Sequence, residues 1–180
     1  MPGSRQLVLT VDQSGRGDHR RIQDAVDAAP TNSSGGGGGG GVIRIKPGVY
    51  RQKCHLHSTS PVGGAFTAHG RSSESENTGF SFVGCKLTGL GVGTSILGRP
   101  RGPYSRVVFA LSYMSSTVKP AGWGDGSDPA KQRTAFYGQY QCYGDGSKTD
   151  GRVAWSHDLS QAEAAPFITK VWVGGQEWLR

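Results

Sequence analysis

Long apolar runs are missing from this sequence of 180 residues, and no stretch approaches the roughly 18 apolar residues that a membrane-spanning helix needs. Charged residues are scarce as well, at 18% of the chain, and helix-forming residue types do not dominate, which excludes a long amphipathic helical rod. Glycine is abundant, with 30 residues, but it follows no three-residue period, so a collagen triple helix is excluded. A basic, glycine-rich globular chain of about one domain remains.

Cysteine is scarce too. The three cysteines, Cys54, Cys85 and Cys142, are an odd number and form no complete disulfide framework, so we expect free thiols that are buried or half-buried. The first residues run from Met1 into a polar and strand-like stretch and include no apolar segment of signal-peptide length. We therefore expect a cytoplasmic location, or a chain that is incomplete at its N-terminus.

The charge of the chain points to an anionic partner. Lys and Arg number 20 against 13 Asp and Glu, a net charge of +7, and the densest basic cluster contains Arg99, Arg101 and Arg106. A basic chain suits nucleic acid, a membrane surface or an acidic polysaccharide. The sequence has no RNP-type motif, helix-turn-helix or heptad pattern, so we expect no nucleic-acid partner and no membrane partner.

The first part of the sequence predicts a strand, a helix and a linker. Val8–Val11 predicts the strand, and the helix extends from Asp18 as its N-cap to Pro30, which ends it. Its single apolar stripe consists of Ile22, Ala25, Val26 and Ala29. Residues 31–41 include seven consecutive glycines and are predicted to form a disordered Ser/Gly linker loop.

From residue 42 onward the sequence predicts short strands separated by turns of glycine, asparagine and serine. The predicted strands are Val42–Lys46, Gly79–Val83, Ser105–Ser112, Thr134–Tyr140, Gly151–Trp155 and Thr169–Val173. Weak helical periodicity returns over Ser160–Ala165. The pattern fits a sandwich, a barrel or a parallel β-helix, and periodicity alone does not choose among them.

Common catalytic motifs are absent from the sequence. No G-x-S-x-G elbow, H-E-x-x-H motif or pair of C-x-x-C motifs occurs, so neither a serine hydrolase nor a zinc site is indicated. His55 and His57 are predicted to share one strand face, but two side chains are too few for a metal site, and we interpret them as surface histidines. We expect no metal and no organic cofactor.

A longer series of motifs runs through almost the whole chain. The series is TVDQSG at 10–15, IQDAV at 22–26, RIKPGVY at 44–50, TAHGR at 67–71, LGRP at 97–100, YSRVV at 104–108, AGW at 121–123, YGQY at 137–140 and GRVAW at 151–155. This series resembles the plant-type pectin methylesterases, or pectinesterases, which are family eight of the carbohydrate esterases. The chain departs from the family at His69, where TAQGR has glutamine, and at Arg101, where LGRPW has tryptophan.

The resemblance implies an all-β fold, a right-handed single-stranded parallel β-helix with an N-terminal capping helix, in a single domain over residues 1–180. It implies hydrolysis of methyl esters on polygalacturonate, which yields pectate and methanol during cell wall modification. In the family one aspartate attacks the ester, a second acts as acid and then base, and glutamines hold the oxyanion. The resemblance also implies a monomer that uses no cofactor, binds pectin and belongs to a family secreted to the cell wall.

The catalytic centre of the family is incomplete in this sequence. The QDTLY-type and DFIFG-type motifs, which carry the two catalytic aspartates, do not occur in it. They would lie in a central stretch that the abrupt join near Lys53–Cys54 omits, so the β-helix is expected to be truncated. We expect hydrolysis to be impaired or absent in this chain. A non-catalytic protein that binds pectin or another polyanion is the alternative.

Four residues are candidates for the site on the basis of the resemblance. Arg99, in LGRP, stands where the family has the arginine that braces the nucleophilic carboxylate. Arg101, Tyr104 and Trp123 are predicted to bind substrate, Arg101 by its charge and the two aromatics by contact with a sugar ring.

Overall fold

The computed structural model describes residues 8–12, 14–28, 42–45, 48–50, 54–76 and 78–169. The predicted linker at 31–41 and the residues directly before Cys54, where the join is predicted, lie outside this part of the chain. The chain divides into two compact units, Met1–Gly48 and Val49–Arg180. None of the helices in the described ranges is long and apolar enough to cross a bilayer.

The first unit contains the predicted strand and helix. Strand β1 (Val8–Val11) pairs in parallel with β2 (Val42–Ile45), and helix α1 spans Ile22–Ala28. Ile22 and Ala25 of the predicted stripe are buried. The prediction that Asp18 caps α1 is wrong, because α1 begins only at Ile22. The carboxylate of Asp18 instead accepts a hydrogen bond from the backbone N–H of Thr10 at 2.7 Å and ties its turn to β1.

After β2 the chain forms short strands. They are β3 (Gly48–Tyr50), β4 (His55–Ser58), β5 (Gly64–His69), β6 (Phe80–Val83), β7 (Lys86–Gly89), β8 (Ser95–Pro100), β9 (Arg106–Ala110), β10 (Tyr113–Met114), β11 (Phe136–Tyr140) and β12 (His157–Asp158). Two 3-10 helices, Pro129–Arg133 and Asp145–Ser147, precede helix α2 (Gln161–Ile168). The Ser160 side chain accepts from the backbone N–H of Glu163, and Glu163 accepts in return from that of Ser160, a capping box that begins α2.

The sheets show how the chain winds. Their strand orders are β10-β7-β4, β12-β11-β9-β6-β3 and β5-β8, and each pairing for which a register is determined is parallel. One coil therefore contributes β4, β5 and β6, and the next contributes β7, β8 and β9 directly against them. Parallel crossovers of this kind are right-handed. The fold is a right-handed parallel β-helix, as the resemblance implied.

Aromatic side chains fill the inside of the coils. Phe82 pairs with Phe109 in the β6–β9 register, so the two rings stack with centroids 4.7 Å apart. On the opposite face of the β12-β11-β9-β6-β3 sheet, Ala164 and Phe167 of α2 pack against a cluster that includes Val108 and Tyr140. Burial on both faces stabilises this sheet at about 25 cal/mol per Å² of apolar surface.

The three cysteines and one serine occupy one corner of successive coils. Backbone N–H groups of the following coil donate to the carbonyls of Cys54, Cys85 and Ser112 at 2.7 to 3.0 Å, which stacks these residues and then Cys142 in a column. The thiols are free, as predicted. A hydrogen bond with Cys54 and burial raise the pKa of Cys85, and burial raises the pKa of Cys142, so neither is a ready thiolate nucleophile.

The predicted strands around β6, β9 and β11 and the helix near residue 160 are confirmed. The strand predicted at Gly151–Trp155 is wrong, because the chain makes turns there, with Arg152 N–H donating to Thr149 at 3.0 Å. The Arg152 guanidinium fixes these turns by donating to Gln139 Oε1 at 3.0 Å and to the carbonyl of Gly146 at 2.6 Å.

Candidate functional site

Arg99 projects from the outer face of β8. Its neighbour on β5 is Ala68. On the other side of β8, Trp123 pairs in parallel with Gly98, which places Gly124 beside Arg99. Both neighbouring positions therefore carry small residues. Leu97 and Pro100 on the same strand are buried, whereas Arg99 is exposed. Among the residues that the structure describes, no hydrogen bond or ion pair holds its guanidinium. The fork of Arg99 is therefore open to an external carboxylate.

The backbone beneath Arg99 depends on close packing around Gly98. A Cβ atom at Gly98 would lie 2.1 Å from Thr67 Oγ1 and 3.1 Å from the Trp123 ring. The Thr67 hydroxyl donates to the carbonyl of Leu97 at 2.9 Å and so joins β5 to β8. Glycine is needed here because a side chain would separate the two strands that present Arg99.

Trp123 has a different place from the one that the sequence predicted. Its side chain is only 2% exposed. The ring packs inside the coil, with centroids 4.6 Å from Tyr137 and 6.0 Å from Phe109. Trp123 thus supports the strand that carries Arg99 from within and presents no free ring face to a sugar, which corrects the substrate-binding role predicted for it.

Arg101 and Tyr104 lie close to Arg99 in the chain. Arg101 is exposed, and its backbone N–H donates to the carbonyl of His69 at 2.8 Å. Tyr104 is half-buried and lines a groove of about 510 Å³, which we name the Tyr104 groove. Its other lining residues include Arg71, Glu74, Arg106, Arg133, Phe136 and His157. The structure therefore brings a predicted binding residue together with three arginines and further aromatic rings.

The arginines of the Tyr104 groove are held in part by backbone carbonyls. Arg71 donates to the carbonyls of Glu74, of Glu76 at 2.7 Å and of Tyr104 at 3.2 Å. Arg106 donates twice to the carbonyl of Thr78, at 3.1 and 2.9 Å. Carbonyls are neutral, so these bonds orient the guanidinium groups without cancelling their charge. Burial and the positive charge of the nearby Arg71 lower the pKa of Arg106.

Sequence reasoning did not identify His69 as a supporting residue of this groove. The ring is buried, and Nδ1 accepts from the backbone N–H of Arg106 at 3.1 Å. Burial, Arg106 and Arg71 lower the pKa of His69 to about 4, against a weaker opposing effect of Glu76. Neutral His69 fixes the backbone of Arg106. The sequence signal for this position was the histidine itself, which stands where the TAQGR motif has glutamine.

The described acidic residues give Arg99 no catalytic partner. Asp125 follows Gly124 along the chain, but its carboxylate accepts from Gln132 Nε2 at 2.8 Å and from Ser127 N–H at 2.9 Å. These two hydrogen bonds lower the pKa of Asp125, so it is ionised and engaged in its own turn. The site as described can bind a carboxylate, and it has no nucleophile placed against Arg99.

Comparisons with known proteins agree with this architecture. A chain of carrot pectin methylesterase matches with a TM-score of 0.60 at 19% identity, over 99% of this chain and 97% of that one. Two Arabidopsis thaliana proteins, pectinesterase 11 and pectinesterase QRT1, are 51% and 43% identical over 129 residues, which is 72% of this chain and 36% and 33% of theirs. The chain thus spans about a third of the length of these curated relatives. The pectinesterase family model matches residues 51–176, and the chain belongs to the pectinesterase family.

Proposed function

We propose that this chain carries part of the catalytic apparatus of a pectinesterase, an enzyme that hydrolyses methyl esters of polygalacturonate to pectate and methanol in cell wall modification, and that hydrolysis by this chain alone is impaired or absent. The observation that carries the proposal is the open guanidinium of Arg99, which projects from β8 between small neighbours. Membership of the pectinesterase family supports the reaction class. The substrate is a pectin chain, the protein acts as a monomer, and the cell wall is the place where the family acts.

This chain supplies one part of that chemistry. The bracing arginine is present, whereas the motifs for the nucleophilic aspartate, the acid–base aspartate and the oxyanion glutamines do not occur in the sequence. Removal of a single oxyanion donor costs about 2.7–4 kcal/mol of transition-state stabilisation in well-studied hydrolases. Loss of several such groups together leaves ester cleavage by this chain alone at or near background.

An insertion experiment tests the proposal. The central stretch of a complete family member, with both aspartate motifs, is placed between Lys53 and Cys54, and methanol release from methylated pectin is measured. We expect the chimera to release methanol and Arg99→Ala in the chimera to reduce the rate by about 100-fold or more, because a misplaced nucleophile costs that much. Arg16→Ala, an exposed arginine of the first unit, is the matched control.

Two results would contradict the proposal. Methanol release by the unmodified chain, well above that of a heat-denatured sample, would show that another carboxylate has taken the catalytic role. A folded chimera that is equally active with and without Arg99 would remove Arg99 from the mechanism.

A second candidate function is binding of pectin without catalysis. The Tyr104 groove favours it, because about 510 Å³ accommodates a small sugar unit and its lining combines Arg71, Arg106 and Arg133 with aromatic rings. A guanidinium matches the planar carboxylate of a uronic acid, and an aromatic face matches the apolar face of a sugar ring. De-esterified pectin, which carries more carboxylates, is the preferred ligand under this alternative.

A further inference from the structure

Two exposed histidines meet at one point on a sheet that does not contain Arg99. His55 and His57 alternate with Leu56 along β4, so their side chains lie on the same outer face. Their rings are edge to face, with centroids 6.0 Å apart. The sheet is β10-β7-β4, whereas Arg99 lies on β8 in the β5-β8 sheet.

Both rings point a nitrogen at the same hydroxyl. Nε2 of His55 lies 2.6 Å from Thr88 Oγ1, and Nδ1 of His57 lies 2.8 Å from the same atom. Thr88 is opposite His57 on β7, which explains why the hydroxyl reaches both rings. A hydroxyl has one proton and donates to one ring at a time. The hydroxyl therefore donates to one ring nitrogen and accepts from the N–H of the other. Both nitrogens converge on Thr88 Oγ1, and a tautomer change in the donating ring would leave both lone pairs available to a ligand beside that oxygen.

The positively charged side chain next to the two histidines, that of Lys86, is directed away from them. Lys86 is opposite His55 in the β4–β7 register, and like charge there would oppose a bound cation. Its Nζ, however, lies over the ring of Tyr113, 5.9 Å from the centroid, and Tyr113 belongs to β10 on the far side of β7. Lys86 thus leans away from the histidines, and its ammonium group is engaged with an aromatic face.

We propose that His55 and His57 chelate a divalent transition-metal ion. Thr88 Oγ1 is a further ligand, and water occupies the remaining coordination positions. Neutral imidazole is a good ligand for Cu²⁺, Ni²⁺ and Zn²⁺, and the Irving–Williams order makes Cu²⁺ the tightest of the three. The described residues contain no group of three or more His, Cys, Asp or Glu side chains that could hold a metal ion, so the site has two protein nitrogens and its affinity is moderate. The proposal departs from the sequence expectation that two histidines are too few for a metal site, because the structure adds the Thr88 hydroxyl to the two ring nitrogens. This property is independent of the proposed esterase function.

The test uses the full 180-residue chain without a histidine tag. Calorimetric titration with Cu²⁺ at pH 7.5 is expected to show one site that His55→Gln or His57→Gln weakens by about tenfold or more, the equivalent of about 1.4 kcal/mol. His157→Gln, an exposed histidine of another sheet, is the matched control and is expected to leave the affinity unchanged. Nitrogen hyperfine structure in the Cu²⁺ electron paramagnetic resonance spectrum is expected to report two imidazoles and to report one in each single variant.

A second readout uses immobilised Ni²⁺. The wild-type chain is expected to be retained at pH 7.5 and released on acidification to about pH 5, since protons compete with metal for imidazole. The double variant His55→Gln/His57→Gln is expected to pass through, with circular dichroism confirming that it is folded. Wild-type affinity equal to that of the folded double variant, or an equal loss in His157→Gln, would overturn the proposal.

Discussion

The imidazole of His69 accepts a hydrogen bond from the backbone N–H of Arg106 across two neighbouring coils, at 3.1 Å. The same ring packs edge-on against Phe80, with centroids 4.6 Å apart. Histidine stands here in place of the glutamine of TAQGR, and both residue types offer an acceptor. An ionisable group has therefore entered a buried position beside two arginines.

We predict that this substitution makes stability depend on pH. The pKa of His69 is about 4 in the folded protein and about 6.5 in an unfolded chain, so the unfolded state binds more protons between these values. Stability is full above pH 6.5 and falls as the pH drops from 6.5 to 4, by at most about 3 kcal/mol. His69→Gln is expected to flatten this dependence, measured as urea midpoints at pH 7 and pH 5.

Matched controls separate His69 from the other histidines. His57→Gln removes an exposed histidine and is expected to keep the wild-type loss of stability between pH 7 and pH 5. If His69→Gln shows the same loss as the wild type, the buried imidazole is not the responsible group.

We predict that Gly98→Ala destabilises the protein by about 1–3 kcal/mol, the usual range for overpacking. The added Cβ would lie 2.1 Å from Thr67 Oγ1, in the layer that supports Arg99. Gly64→Ala is the control, because its Cβ would meet its nearest atom, Ser58 Oγ, at an ordinary 3.6 Å. Chemical denaturation measures both variants, and equal stability of the two would contradict the packing argument.

Double substitution refines this prediction. Thr67→Ala removes the obstructing hydroxyl and also its hydrogen bond to Leu97. If the contact explains the loss, Gly98→Ala should cost less in the Thr67→Ala background than in the wild type, a non-additive result.

Local patterns were sufficient to predict some elements. β6, β9 and β11 coincide with β-branched and aromatic stretches between turn residues, and α2 is capped by Ser160 with Glu163 three residues later. The Gly151–Trp155 segment has a similar composition, but the side chain of Arg152 fixes it as turns by donating to the carbonyls of Lys119 and Pro120, which are distant in sequence. Composition did not reveal these long-range bonds.

The choice of a β-helix over a sandwich or barrel depends on which strands pair. Parallel registers such as Phe82 with Phe109 join residues on successive coils, and hydrophobic periodicity contains no information on them. The resemblance supplied that choice. The bracing role that it implied for Arg99 stays a prediction. The sugar contact that it implied for Trp123 conflicts with the buried position of that ring, which packs against Tyr137 inside the coil.

We predict that Ser112→Ala costs about 1–3 kcal/mol of stability, since it removes the acceptor of a buried N–H group. Ser112 Oγ accepts from the backbone N–H of Cys85 at 3.0 Å and donates to the carbonyl of Ala110 at 2.8 Å. Ser112→Cys is expected to cost less, because cysteine occupies the same corner in the neighbouring coils and its sulfur is a weak acceptor. Thermal and urea unfolding rank the variants, and equal losses would show that the hydroxyl is not the important feature.

The last prediction concerns retention of the chain on de-esterified pectin. We expect salt-sensitive retention, because carboxylates of the polymer meet Arg99, Arg101 and the Tyr104 groove, and added salt screens these contacts. Arg133→Ala is expected to lower the salt concentration needed for elution, since Arg133 is an exposed residue of the groove. Arg16→Ala removes the same charge from the first unit and is expected to elute like the wild type. Elution of both variants together would show that net charge is responsible, and stronger retention on single-stranded DNA at matched salt would exclude a preference for pectate.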